Sequence, residues 1–213
     1  MREAIWVKIC GVTSPGDAEM VALAGASAIG LNFVPTSPRL VSAVTAKAIA
    51  RVVQGRVELV GVFANAPVAE MVNLQAELEL DWIQLHGDET PETLQQCGPR
   101  AFKALRVGDA TDVEAALRYG ERILVDAKVL GALGGTGHAF DWSLVEGLSG
   151  QRDLVLAGGL APGNVGAAIR QVRPFGVDTA SGVEDAPGLK SPDKTRAFVR
   201  EARAAARALR DSD

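Results

Sequence analysis

An α/β fold built as a single-domain (β/α)8 barrel is predicted by three features of the chain. Eight short runs rich in β-branched and other apolar residues alternate with alanine-rich stretches of helical character along 213 residues. Most of the runs are continuously apolar rather than alternating, as strands of a parallel sheet are when both faces are covered. Residues capable of chemistry gather at the C-terminal ends of those runs, the face that carries the site in barrel enzymes.

The strand runs are IWVKIC (5–10), AIGLNF (28–33), VELVGVF (57–63), LDWIQLH (80–86), RAFKAL (100–105), RILVDA (122–127), DLVLAGG (153–159) and FGVDTA (175–180). Ser14-Pro15-Gly16-Asp17 supplies a cap, a proline for the first helical position and an early acid, which together open a helix. Thr90-Pro91-Glu92 and Ser191-Pro192-Asp193 repeat that device. Helices are also predicted over 43–53, 67–77 and 112–119, with shorter ones over 141–148 and 162–171, and a long last helix from Pro192 to about Arg210. Eight βα units close into a barrel without an edge strand. An open doubly wound sheet is the competitor, but no Gly-x-Gly-x-x-Gly follows the first run. One domain over 1–213 is expected, with a polar tail at 211–213 that frays.

Twenty-two basic against 26 acidic residues leave a net charge of −4, which argues against a nucleic-acid partner. Cys10 and Cys97 have no Cys-x-x-Cys spacing, so neither a disulfide framework nor a structural zinc site is expected. The first apolar run is broken by Lys8 and no 18-residue apolar stretch occurs. A soluble cytoplasmic protein with no membrane attachment is the reading.

At the strand ends lie Lys8-Ile9-Cys10-Gly11, Asn32-Phe33 before PTSPR, His86-Gly87-Asp88, Asp126-Ala127-Lys128, Gly158-Gly159 and Ser181-Gly182. The two small-residue loops follow strands 7 and 8, where this fold frequently holds phosphate on backbone amides. Asp126 ends an apolar strand, where an uncompensated carboxylate is costly. It is either a cap for the loop 128–141, which carries glycines 131, 134, 135 and 137, or an acid of raised pKa. Cys10 reads equally as a buried inert thiol or as a base whose pKa a neighbour must lower. Lys8 lies two residues away and projects from the same side of the strand. Arg39 is either a solvated loop residue or a bidentate clamp for a carboxylate. His86 is read as a structural or orienting group ahead of a substrate contact, and Cys97 as structural or exposed. His138 has no partner the sequence identifies, and Trp142 reads as a core aromatic at a helix start.

Taken in order, VKICGVT (7–13), GLNFVPTSPRLVS (30–42), VGVFAN (60–65), WIQLHGDE (82–89), LVDA (124–127), GGTGHAFDW (134–142), LAGGLAPGNV (156–165), GVDTASGVE (176–184) and PGLKSPDK (187–194) resemble the phosphoribosylanthranilate isomerase family of tryptophan biosynthesis. The resemblance implies an intramolecular oxidoreduction, the third step from chorismate. In it N-(5-phospho-β-D-ribosyl)anthranilate undergoes an Amadori rearrangement to 1-(2-carboxyphenylamino)-1-deoxy-D-ribulose 5-phosphate. It further implies Asp126 as general acid, Cys10 as general base, Arg39 on the anthranilate carboxylate, and the segments at Gly158-Gly159 and Ser181-Gly182 on the phosphate. No metal or organic cofactor is implied; the only partner is a small phosphorylated substrate, and the chain is a monomer or a homodimer. The chain departs from the family's usual pattern at Ala180, where a serine is common, and at Gly163, where a glutamate is usual. Indole-glycerol-phosphate synthase and pentose-phosphate epimerase are the enzymatic alternatives; a catalytically silent phosphate-binding barrel is the non-enzymatic one.

Overall fold

Eight parallel strands pair in chain order and then close on themselves. They are β1 (Trp6–Cys10), β2 (Ala28–Asn32), β3 (Glu58–Phe63), β4 (Trp82–Leu85), β5 (Ala101–Val107), β6 (Arg122–Ala127), β7 (Asp153–Ala157) and β8 (Gly176–Thr179). Closure is made by β8 beside β1, from Trp6 opposite Gly176 to Ile9 opposite Thr179. This computed structural model describes residues 5–127 and 142–211. The glycine-bearing segment 128–141, with His138, and residues 212–213 of the tail lie outside the described residues.

Between the strands run α1 (Pro15–Leu23), α2 (Ala43–Val53), α3 (Val68–Leu78), α4 (Pro91–Gln96), α5 (Ala110–Ala116), α6 (Val165–Val172) and α7 (Pro192–Arg210), with a 3₁₀ turn at Trp142–Leu148. Ser14 and Thr90 cap α1 and α4 as expected, each side-chain oxygen accepting from a backbone N–H three residues on. Ser42 does the same for α2. Two helix starts differ from expectation by two residues or more. Helix α5 starts earlier than 112, because Asp109 accepts from both Thr111 N and Asp112 N. Helix α6 starts later than 162, because the Asn164 carboxamide turns back to accept from Ala161 N at 2.8 Å. Ser191 stands at the cap of α7 without a capping side-chain bond. An unforeseen hairpin follows β8: β9 (Glu184–Ala186) pairs antiparallel with β10 (Leu189–Lys190).

Two apolar layers hold this arrangement. Trp6, Phe102, Leu124 and Val155 fill the barrel with the smaller Ala28, Val60, Ala104 and Ala157. A larger set, including Ile9, Ile29, Leu31, Ile49, Ile123 and Phe198, joins the outer strand faces to the helices. Each fully buried side chain of this kind contributes roughly 1.5–3 kcal/mol. Trp142 packs half-buried against the outer layer, and Cys97 is buried beside Phe63, Met71 and Leu94, which makes it a packing residue.

The two mouths are chemically unlike. At the strands' N-terminal ends the Arg122 guanidinium sits 4.0 Å from the Trp82 ring centre and 4.7 Å from that of Phe175. Trp6 Nε1 donates to Glu58 at 2.8 Å on the same side. Cation–π stacking of this kind makes that end a packed plug, and the reactive side chains are left to the other.

Candidate active site

The C-terminal mouth is organised by a charged residue that an apolar strand would not tolerate alone. Lys8 is fully buried in β1, and its Nζ donates to Asp178 Oδ1 of β8 at 2.9 Å. Burial opposes the Lys8 charge, but Asp178 and the Cys10 sulfur outweigh it and hold the ammonium above its ordinary pKa. Cys10, two residues on, projects from the same side of β1. A Cβ added to Gly30 on the neighbouring strand would lie 2.8 Å from Cys10 Sγ and 3.1 Å from Lys8 Cε. Gly30 therefore makes room for both side chains.

The Cys10 thiol is only partly accessible. Burial pushes its pKa up, the Lys8 charge pulls it down, Asp178 adds to the rise and Lys190 opposes it. Lys8 does act on the thiol, but burial and Asp178 outweigh it, and the Cys10 pKa stands above its ordinary value, so the lowering expected from a neighbour is not met.

Asp126 ends β6, half-buried, opposite Ala157 of β7. Burial and the Asp178 charge raise its pKa, with Arg106 opposing. The carboxyl thus stays protonated to higher pH than an ordinary aspartate, as a proton donor needs. His86 faces it, Nε2 standing 3.8 Å from Asp126 Oδ2, too far for a hydrogen bond. Burial and the charges of Lys8, Lys103 and Arg106 lower the His86 pKa, so the imidazole is neutral near pH 7. Gln84 Nε2 lies 3.3 Å from His86 Nδ1, and where the amide donates there the ring proton is on Nε2, the nitrogen on the side of Asp126. The loop after His86 is fixed by a buried pair. Lys103 Nζ lies 3.1 Å from Glu89 and donates to the Gly87 carbonyl at 2.6 Å, while Glu89 accepts from Asn65 N and Gly87 N.

Arg39 grips a carboxylate of its own chain. Its stem passes over Gly11, where a Cβ would collide with Arg39 Cδ and where φ is +71°. Its guanidinium is pinned by Glu184, Nε donating at 2.8 Å and Nη2 at 2.5 Å. Among the described residues that pairing uses the side edge of the fork and leaves the Nη1–Nη2 end for a second carboxylate.

At the other side of the mouth the loops after β7 and β8 lie against each other. Gly158 and Gly159 both have positive φ, +88° and +64°, a conformation that glycine adopts without a Cβ penalty. Ser181–Val183 forms one 3₁₀ turn with Ser181 exposed. Thr179 Oγ1 donates to the Leu160 carbonyl at 2.7 Å, and a Cβ on Gly182 would collide with that same carbonyl. The structure thus brings Cys10, Arg39, His86, Asp126 and both glycine-containing loops to one mouth.

Sequence reasoning missed Asp178, Glu184, Lys190 and Arg106. A signal for the first existed: a lone acid within GVDTA and a lone lysine within IWVKIC are charges in apolar strands, which implies that they pair.

Comparison with known proteins agrees with this geometry. The family model described as N-(5'phosphoribosyl)anthranilate (PRA) isomerase matches residues 7–201. An N-(5'-phosphoribosyl)anthranilate isomerase of Magnetococcus marinus is 46% identical over 209 residues, covering 95% of this chain and 97% of that protein. The crystal structure of phosphoribosyl anthranilate isomerase from Thermotoga maritima superposes with a TM-score of 0.88 at 40% identity, covering 94% of this chain and 99% of that one. A structure of the isomerase in complex with reduced 1-(o-carboxyphenylamino)-1-deoxyribulose 5-phosphate gives 0.85 at 38% identity, with the same coverage. On the family match and these identities, the chain belongs to the N-(5'-phosphoribosyl)anthranilate isomerase family.

Proposed function

We propose that this chain isomerises N-(5-phospho-β-D-ribosyl)anthranilate to 1-(2-carboxyphenylamino)-1-deoxy-D-ribulose 5-phosphate in tryptophan biosynthesis, with Asp126 as acid and Cys10 as base. The observation that carries the reading is geometric: a partly accessible thiol at the end of β1 and a half-buried carboxyl near the end of β6 share one mouth, between an arginine fork and two glycine loops.

The substrate lies across the mouth, its phosphate against the amides around Gly158-Gly159 and Ser181-Gly182 and its carboxylate on the free end of Arg39. Asp126 gives its proton to the ribose ring oxygen; the C1′–O bond breaks and the anthranilate nitrogen lone pair forms the C1′=N iminium. The Cys10 thiolate takes the C2′ proton, and the C–H electrons become the C1′=C2′ bond of an enolamine while the nitrogen recovers its lone pair. Tautomerisation moves the enol proton to C1′ and gives the ketone. The proton on Cys10 returns to Asp126 through solvent. His86, neutral, lines the mouth beside Asp126 without a hydrogen bond to it. Fixing both ends of the substrate supplies positioning, and each proton transfer contributes about 10²–10⁴ in rate.

Two protonation states must coexist, a protonated Asp126 and an ionised Cys10. With the acid titrating below the thiol, activity is flat between the two pKa values and falls outside them. Anything that raises Asp126 or lowers Cys10 enlarges the active fraction. The test generates the substrate in situ and follows its disappearance. The enzyme is expected to accelerate loss well beyond spontaneous decay with formation of the ribulose product. Indole formation, or binding without turnover, would contradict the assignment.

A further inference from the structure

We propose that Lys190 is a positioning residue for this reaction, its one buried ammonium fixing the base, the phosphate segment and the carboxylate clamp relative to one another. The inference rests on the roles given above to Cys10, Arg39 and the loop after β8. Lys190 lies on β10 and its side chain is wholly buried. Its Nζ donates to the Cys10 carbonyl at 2.6 Å, to the Ala180 carbonyl at 3.3 Å and to Glu184 Oε1 at 2.7 Å. The three donors of an ammonium are all used, each on a different functional part.

Cys10 carries the thiol, and Ala180 immediately precedes Ser181. Glu184 is the carboxylate that holds both Nε and Nη2 of Arg39. The hairpin keeps Lys190 in place: Gly188 N donates to Glu184 Oε1 at 3.1 Å, and Thr13 Oγ1, just past β1, donates to the Gly188 carbonyl at 2.6 Å. Lys194 Nζ from α7 donates to the Glu184 carbonyl at 2.7 Å.

A buried pair that served packing alone would need one lysine and one carboxylate. Here the lysine spends two of its donors on main-chain carbonyls of the segments that carry the proposed base and phosphate contacts. A residue so placed sets the distance between the proton-abstracting sulfur and the substrate's anchors. Misplacement of reacting groups by about 1 Å costs on the order of 10² in rate. Its charge also faces Cys10, so its removal disfavours the thiolate.

The test uses Lys190→Met and, as a second neutral variant, Lys190→Gln, with unfolding temperature, kcat and KM measured on each. Alkylation of Cys10 by iodoacetamide is followed without substrate by mass spectrometry, which separates it from Cys97. A positioning role is expected to lower kcat by about 10-fold to 10²-fold, with a smaller rise in KM as the two anchors loosen. Alkylation at pH 8 is expected to slow by about threefold through loss of the nearby charge. A folded variant with a lower unfolding temperature but unchanged kcat and alkylation rate would overturn the proposal. So would failure of both variants to fold under conditions where Glu184→Gln folds, since Lys190 would then be a stability element. Cys10→Ser run in parallel separates the two levels. If it turns over normally, the base assignment itself fails; if it is inactive while Lys190→Met is near wild type, only the present inference fails.

Discussion

Asp126 and Cys10 share a neighbour that pushes both in the same direction. The Asp178 charge raises the carboxyl and raises the thiol, so Asp178→Asn is expected to move both limbs of the pH–rate profile to lower pH. A profile that keeps either limb in place would show that the group titrating there does not face Asp178. The same substitution strips Lys8 of its partner, and breaking a buried pair costs about 3–5 kcal/mol, measurable by denaturant unfolding. Asp126→Asn acts oppositely. A carboxyl whose pKa is raised on folding destabilises the folded state at pH values where it ionises. The amide is therefore expected to hold or raise the unfolding temperature at neutral pH while lowering turnover about 10²–10⁴-fold. A clear loss of stability would contradict the electrostatic reading of Asp126. At this scale the sequence revealed the groups at strand ends but not their partners. Lys8 and Asp178 lie 170 positions apart, and only barrel closure makes them adjacent.

The starts of α1 and α4 were legible. Ser14 and Thr90 each bond a backbone N–H three residues away, and that spacing is visible in the chain. The start of α6 was misread because Asn164 bonds backward to Ala161 rather than forward into the helix. The β9–β10 hairpin was invisible because it is short and is held by Glu184, whose partners come from β10, the turn at Gly188 and the loop after β2. Glu184 makes that hairpin acid-sensitive. Its burial is outweighed by bonds from Arg39 and Lys190, and its pKa falls from 4.5 to about 2. A group lowered on folding contributes stability that is full above its unfolded pKa and is lost as pH falls through the folded one. Hydrogen-exchange protection of the Gly188 amide is expected to decline between about pH 4.5 and pH 2; protection that persists below that window would contradict it. Gly30 gives a steric counterpart on β2. Gly30→Ala is expected to displace Cys10 and cut kcat at least about tenfold with the barrel still folded, because the new methyl meets the sulfur first. Unchanged kinetics would contradict the proximity of Gly30 to the thiol.

Across the whole molecule the barrel separates structure from chemistry along its axis. One end is plugged by Arg122 among Trp82 and Phe175, and the other collects Lys8, Cys10, His86, Asp126 and Asp178 above the apolar filling of Trp6, Phe102 and Leu124. The barrel itself could be read in the chain because eight apolar runs at similar spacing have few closed solutions. The brace of Arg39, Glu184 and Lys190 could not, because it joins the loop after β2 to a hairpin about 150 residues later and only the closed barrel brings them together. The central claim is that Cys10 removes the C2′ proton while the rest of the mouth holds the substrate. The most direct measurement compares Cys10→Ser with the unsubstituted enzyme for turnover of substrate generated in situ and for binding of reduced 1-(o-carboxyphenylamino)-1-deoxyribulose 5-phosphate. The expected result is a fall in kcat of about 10²–10⁴ with ligand affinity retained within a few-fold; a serine variant that turns over at near the original rate would contradict it.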